Sequence, residues 1–208
     1  TDLTPLDGTD AQFYHTDYSY DGDSKRLASI HQNGTLRASY TYVEVDGTYK
    51  IASATDGEGN TQSYSYVSAS QTDVTDALGQ LTTFHFDATG QLERVLSPAV
   101  DGQRFETRYY YDGQGNVTEV LDPSQRSTRF EYDANGNQIK QVDALGNTIE
   151  RSYDHNNDLL TETVYLTADP DGQGAGTAGT PATTRYVYDS ERHVRFVISA
   201  TGSVTEHQ

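Results

Sequence analysis

Apolar and polar residues alternate in short runs along most of this chain. Clusters containing Gly, Asp or Asn break the runs roughly every 8 to 12 residues, the spacing of strands joined by tight turns. In the run Thr128-Arg129-Phe130-Glu131-Tyr132 the two rings share one face of an extended strand, and Arg129 and Glu131 take the other. The same spacing of two recurs in Tyr18/Tyr20, Tyr40/Tyr42, Tyr64/Tyr66, Phe84/Phe86, Tyr109/Tyr111 and Tyr186/Tyr188, while Arg151 replaces the partner of Tyr153. Thr16, Thr82, Thr107, Thr128 and Thr184 extend that face by one more step. No window carries helical periodicity, so the pattern predicts an all-β protein.

The aromatic that closes each run falls at Tyr20, Tyr42, Tyr66, Phe86, Tyr111, Tyr132, Tyr153 and Tyr188, at intervals of 22, 24, 20, 25, 21, 21 and 35 residues. The last interval exceeds the 21-residue norm by 14, the length of the Gly-rich stretch "ADPDGQGAGTAGTP" at 168–181. Self-similarity at a fixed period marks a repeat architecture. The expected organisation is a lead-in over 1–15, a repeat array over 16–166, an insertion loop over 167–183, and a further unit with an open end over 184–208. The loop is expected to be mobile, because its excess length and glycine content let it be extruded without disturbing strand pairing.

Turn chemistry follows the aromatic. Asp21, Asp87, Asp112, Asp133, Asp154 and Asp189 open these turns, and Gly90, Gly115 and Gly136 stand three residues after Asp87, Asp112 and Asp133. An Asp carboxylate can accept hydrogen bonds from backbone amides just ahead of it, and Gly adopts the positive φ that closes such a turn. A second turn follows a short strand, as in "DGEG" at 56–59 and "DALG" at 76–79 and 143–146, with "DPSQ" at 122–125 and "SATG" at 199–202 as looser versions. Each unit is therefore a hairpin that continues into the next, giving tandem β-hairpin repeats of about 21 residues in a curved, spiralling antiparallel sheet. Val43 and Val67 follow Tyr42 and Tyr66 where Asp is expected, which predicts wider turns there.

Composition narrows the function classes. Fifteen of the 22 aromatics occupy the repeat positions, so they serve the repeat instead of lining one pocket. A net charge of -17 repels phosphate backbones and argues against nucleic-acid binding. No apolar run approaches the roughly 20 residues of a membrane-spanning helix. The 208 residues contain no Cys and no Met, which excludes disulfides and suggests a chain cut from a longer one. No signal peptide is evident.

The segment "YYYDGQGNVTEVLDPSQRSTRFEYDANGNQIKQVDALGNTIERSYD" resembles the YD-repeat, or RHS-repeat (rearrangement hotspot), family, and the same pattern extends over nearly all of 16–205. The resemblance implies a secreted or cell-surface protein whose repeats wind into a hollow β-shell, of which this chain would be an arc. Such shells enclose a toxin in bacterial polymorphic toxins and in the C components of insecticidal toxin complexes, and display adhesion surfaces in teneurins. Toxin-bearing members have an Asp-Pro cleavage site after a core segment. Asp122-Pro123 and Asp169-Pro170 lie inside the array without that segment and read as turns.

Candidate chemistry is sparse. His15, His31, His85, His155, His193 and His207 are dispersed, with no metal-ligand spacing, and His85 should point away from the face of Phe84 and Phe86. Asp169, Asp171 and Asp189 lack the closing Glu of an EF-hand, and Asp21 and Asp23 sit in a turn. The leading expectation is a non-catalytic segment that needs no cofactor or metal. Its partners would be the rest of its parent chain, an enclosed toxin, or further copies pairing at the sheet edges. The alternative is a carbohydrate-binding, polysaccharide-cleaving or adhesive surface, with Arg151 on the aromatic face as its focus.

Overall fold

The structure, a computed structural model, describes residues 15–165 and 181–207. Seventeen strands account for most of them: β1 Thr16–Tyr20, β2 Leu27–Gln32, β3 Thr35–Val45, β4 Thr48–Asp56, β5 Thr61–Ser68, β6 Gln71–Thr75, β7 Leu81–Phe86, β8 Leu92–Leu96, β9 Glu106–Tyr111, β10 Val117–Leu121, β11 Ser127–Tyr132, β12 Gln138–Val142, β13 Thr148–Tyr153, β14 Leu159–Tyr165, β15 Pro181–Tyr188, β16 Val194–Ile198 and β17 Val204–Glu206. There is no helix among the described residues. The all-β expectation holds, and each odd-numbered strand from β1 to β15 carries one of the eight repeat aromatics.

The chain divides into two compact units, Thr1–Phe105 and Glu106–Gln208. In the first, β1 to β8 form an antiparallel meander in which each strand pairs with its neighbours in sequence. In the second, β9 to β17 do the same. The first unit closes with Arg104, whose guanidinium donates to the carbonyls of Leu81, Leu96 and Ser97 and to Thr83 Oγ1. Thr83, at 3% exposure, is the most buried polar residue described.

Register breaks at the repeat aromatic. Glu131 pairs with Lys140 but Tyr132 pairs with Gln138, so Ile139 is an extra residue on β12. Equivalent bulges place Ala28, Ala52, Glu93, Thr118, Leu160 and Arg195 outside the pairing opposite Tyr20, Tyr42, Phe86, Tyr111, Tyr153 and Tyr188. A bulge bends its strand and increases the local twist.

Three expectations need correction. Past Tyr42, β3 runs on to Val45 and meets β4 through the two-residue turn Asp46-Gly47, with φ of 49° and 74°. Past Tyr66, Ser68 pairs with Gln71 across Ala69 and Ser70. These turns are displaced outward and are not wider, because Val43 and Val67 keep the strand going where Asp would have ended it. Residues 181–183, assigned above to the loop, belong to β15, where Thr183 pairs with Thr163 and Pro181 with Tyr165. The rest of that loop, including Asp169-Pro170 and Asp171, lies outside the described residues, as do residues 1–14 of the lead-in.

Candidate functional site

No hydrophobic side chain among the described residues is buried. In each unit one face carries the half-buried rings, with apolar partners directly across: Tyr64 opposite Val74 and Phe84 opposite Val95 in the first, Tyr109 opposite Val120 and Tyr186 opposite Val197 in the second. Such pairs hold strands together at roughly 0.2–1 kcal/mol each without an enclosed core. The opposite face of each unit is polar. Hydroxyl pairs Ser19–Ser29, Thr41–Ser53, Ser152–Thr161 and Thr163–Thr183 cross it at 2.6 to 2.9 Å. Lys140 sits there between Glu131 and Glu150, 4.0 Å from each.

The repeat tyrosines also do something their spacing did not reveal. Their hydroxyls donate to main-chain carbonyls one repeat back: Tyr42 to Leu27 (2.8 Å), Tyr66 to Ile51 (2.9 Å), Tyr132 to Val117 (2.8 Å) and Tyr153 to Gln138 (3.1 Å), always 15 residues upstream. Leu27, Val117 and Gln138 are also the residues that pair with the aromatics Tyr20, Tyr111 and Tyr132. Tyr188 donates to Leu159, 29 residues upstream at 2.9 Å, so removing a 14-residue insertion restores the spacing of 15. Partial burial pushes the Tyr66, Tyr153 and Tyr188 hydroxyls above their usual pKa of 10.0, keeping them protonated as donors.

Nine turns share one hydrogen-bond pattern. In the turn opened by Asp133, Oδ1 accepts from the amides of Asn135 and Asn137, and Oδ2 accepts from the Asn137 side chain, each at 2.9 Å. The Asp56, Asp76, Asp87, Asp112, Asp122, Asp143, Asp154 and Asp189 carboxylates likewise accept from the second and fourth amides ahead. These bonds hold Asp56, Asp112 and Asp133 (side-chain amide of the Asn first), Asp87 (Thr89 hydroxyl first) and Asp122, Asp154 and Asp189 (main-chain amide first) below the usual 3.8. Asp21 departs from the pattern: its turn is one residue longer, Asp21 N bonding to Arg26 O, and its carboxylate takes the Arg26 guanidinium. Arg26 in turn stacks on the Tyr49 ring at 3.8 Å.

One polar set interrupts the ring face. Arg151 pairs across strands with Glu162, donating Nε to Oε2 at 2.9 Å, and its Nη1 donates to Gln138 Oε1 at 2.5 Å. Neighbouring Phe130 faces Gln141 instead of an aliphatic. The histidines do not converge. His85 lies on the face opposite Phe84 and Phe86, as expected, and is half-buried. His155 is in a turn, and His193 lies 3.5 Å from Asp189. Among the described residues no group of three or more His, Asp or Glu could hold a metal. Nor is any helix there long and apolar enough to cross a membrane.

Comparison with known proteins follows this geometry. The family described as RHS Repeat matches residues 111–148 and 132–173, the stretch from β9 into the insertion. No curated protein matches the chain. Among solved structures, a Photorhabdus luminescens Tc holotoxin pore carrying a TccC3 mutation has a TM-score of 0.56 at 15% identity, covering 97% of this chain and 13% of that one. A TcdB2-TccC3-Cdc42 crystal structure has a TM-score of 0.55 at 15% identity, covering 95% and 13%. At that identity the likeness is one of fold, and this chain spans about 13% of the length of either. Within the matched stretch, the hairpin, bulge and Asp turn around Tyr132 have counterparts around Phe86 and Tyr188 on either side, so residues 111–173 match the RHS Repeat family and the neighbouring hairpins resemble them.

Proposed function

We propose that the chain is a non-catalytic wall segment of a larger secreted or cell-surface RHS-repeat protein, one that encapsulates or presents a toxin or effector. The observation that carries this reading is a ring face without a single buried hydrophobic side chain among the described residues. A sheet so open on its own gains stability from whatever covers it, whether further repeats or enclosed cargo. The side chains that recur with the repeat support the same reading. The hydroxyls of Tyr42, Tyr66, Tyr132, Tyr153 and Tyr188 join successive hairpins, and the turn Asp carboxylates close them. The two toxin-complex structures of similar fold are compatible with such a wall.

The test compares this chain with the same chain extended by the flanking repeats of its parent. The extended form should bind less of an apolar-surface dye per residue and should self-associate less on sedimentation. Equal dye binding and equal association in both would contradict a covered face. For the cargo, the parent's enclosed domain should resist protease while the wall is intact and become susceptible once the wall is opened.

A second reading has one observation behind it: the Arg151, Glu162 and Gln138 set beside the Tyr153 and Phe130 strands, an array of polar groups among rings that suits a glycan. A glycan array bound by the native chain and lost on Arg151→Ala, with the melting temperature unchanged, would favour it over the wall.

A further inference from the structure

Four Asp turns of the second unit, opened by Asp112, Asp133, Asp154 and Asp189, contact one another in succession. Counting the opening Asp as one, the fourth residue of each faces the fifth residue of the one before it in that series, and Asn157 and Arg192 reach the third residue as well. A Cβ added to Gly136 would lie 3.8 Å from Asn116 Oδ1. Asn157, at the same fourth position, accepts on Oδ1 from Asn137 Nδ2 at 2.8 Å. Arg192, at the fourth position of the last such turn, donates Nε and Nη2 to the two oxygens of Asp158, each at 2.8 Å, and Nη2 also reaches Asn156 O. Asn157 and Arg192 hold φ of 67° and 69°, a left-handed backbone that glycine takes at the fourth position of most of the other turns. Both therefore keep a side chain at a strained position, and both use it to reach the preceding repeat.

The chemistry at each pair is matched. Asn137 donates to its own Asp133 and, through the same Nδ2, to Asn157, so a neutral residue meets a neutral one. Asp158 has no proton to donate to Asp154, and its carboxylate adds a negative charge beside one already there. A cation at position 192 offsets it. We infer that the fourth-to-fifth contact is a specificity-determining pair between consecutive repeats, selecting by charge and hydrogen bonding which hairpin can follow which. Asp158 and Arg192 use the charged form where the partners stand 34 residues apart instead of 20. There the extra residues between β14 and β15 weaken the chain's own guidance of the next hairpin. The inference rests on the stacked-hairpin reading and is independent of what the wall covers.

Charge reversal tests it in the full chain. Asp158→Arg should leave two cations facing each other and Arg192→Asp two carboxylates, so each alone should lower the melting temperature by a few degrees and speed hydrogen exchange in β15. Together they rebuild an opposite-charge pair and should recover more than half of the summed loss. Both residues suit their new places: Arg126 already holds a fifth position, and Asp46 and Asp101 already hold φ of 49° and 51°. If either single variant does not fold, the double variant Asp158→Asn with Arg192→Asn, copying the Asn137–Asn157 pair, should fold and melt close to the native chain. Losses that simply add in the reversed double variant, singles that melt like the native chain, or an Asn/Asn variant that does not fold would each overturn the pairing. None of these outcomes would alter the result with added flanking repeats, so the pairing and the wall fail separately.

Discussion

At the scale of single residues, most of the specification lies in the turns. The fourth turn position demands positive φ, and Gly59, Gly79, Gly90, Gly115, Gly136 and Gly146 meet it at no steric cost. Gln125 sits there at φ 62°, with its amide bonded to Asp122 O but no inter-repeat role like that of Arg192. Gln125→Gly should therefore stabilise by about 0.5–1 kcal/mol, seen as a rise in melting temperature. The identical change at Arg192 should lower it, because the Asp158 pair is lost with the strain. These positions were legible in the sequence from the Asp-x-x-Gly spacing. Gln125 was legible only as a looser variant, since nothing local says that a non-glycine residue will accept the left-handed backbone.

At the scale of elements, the repeat aromatic is a rivet as well as a packing group. Tyr132→Phe keeps the ring across from Gln138 and removes only the bond to Val117 O, so it should cost about 1 kcal/mol, measured by chemical denaturation. Tyr132→Ala also removes the ring and should cost more. Phe86 occupies the same position without a hydroxyl, and Phe86→Tyr should gain stability if its oxygen finds the carbonyl one repeat back. The pairing of rings on one face was readable from period two. The bulge opposite seven of the eight repeat aromatics was not, because an extra residue on the partner strand leaves no mark of its own in an alternating pattern. The rim extension at β3 and β4 was misread for a related reason. The absence of Asp after Tyr42 signals only that the turn is elsewhere, and the Asp46-Gly47 signature lies three residues further along.

At the scale of the whole molecule, the turn carboxylates set the response to acid. Asp56, Asp87, Asp112, Asp122, Asp133, Asp154 and Asp189 all bind protons less readily folded than unfolded. As pH falls through about 4 the unfolded chain takes up protons first, so stability is present above that range and is lost below it. The net charge of -17 opposes this by weakening repulsion as carboxylates titrate, which should hold the melting temperature nearly level down to about pH 5 before a steep fall. Asp133→Asn should shallow that fall. At the alkaline end, Tyr66, Tyr153 and Tyr188 hold their protons more tightly folded, so stability should drop again as pH climbs past about 10. Melting temperatures across pH 2 to 11 check both limbs.

The repeat period, the strand-turn-strand unit, the shared ring face and the 14-residue excess were all determined by the sequence alone, because each depends on residues within one hairpin. Local chemistry is enough for them: alternation sets the face, and Asp with Gly sets the turn. Tertiary structure alone decided what happens between hairpins. The tyrosine-to-carbonyl bonds, the Asp158–Arg192 pair, the Arg104 closure of the first unit and the boundary at Phe105 join residues that only register brings together. The open ring face belongs to the same class. Tyr64 or Tyr109 carries the same alternating signal whether its face is enclosed or bare, since burial depends on what packs above the ring and not on the strand that bears it.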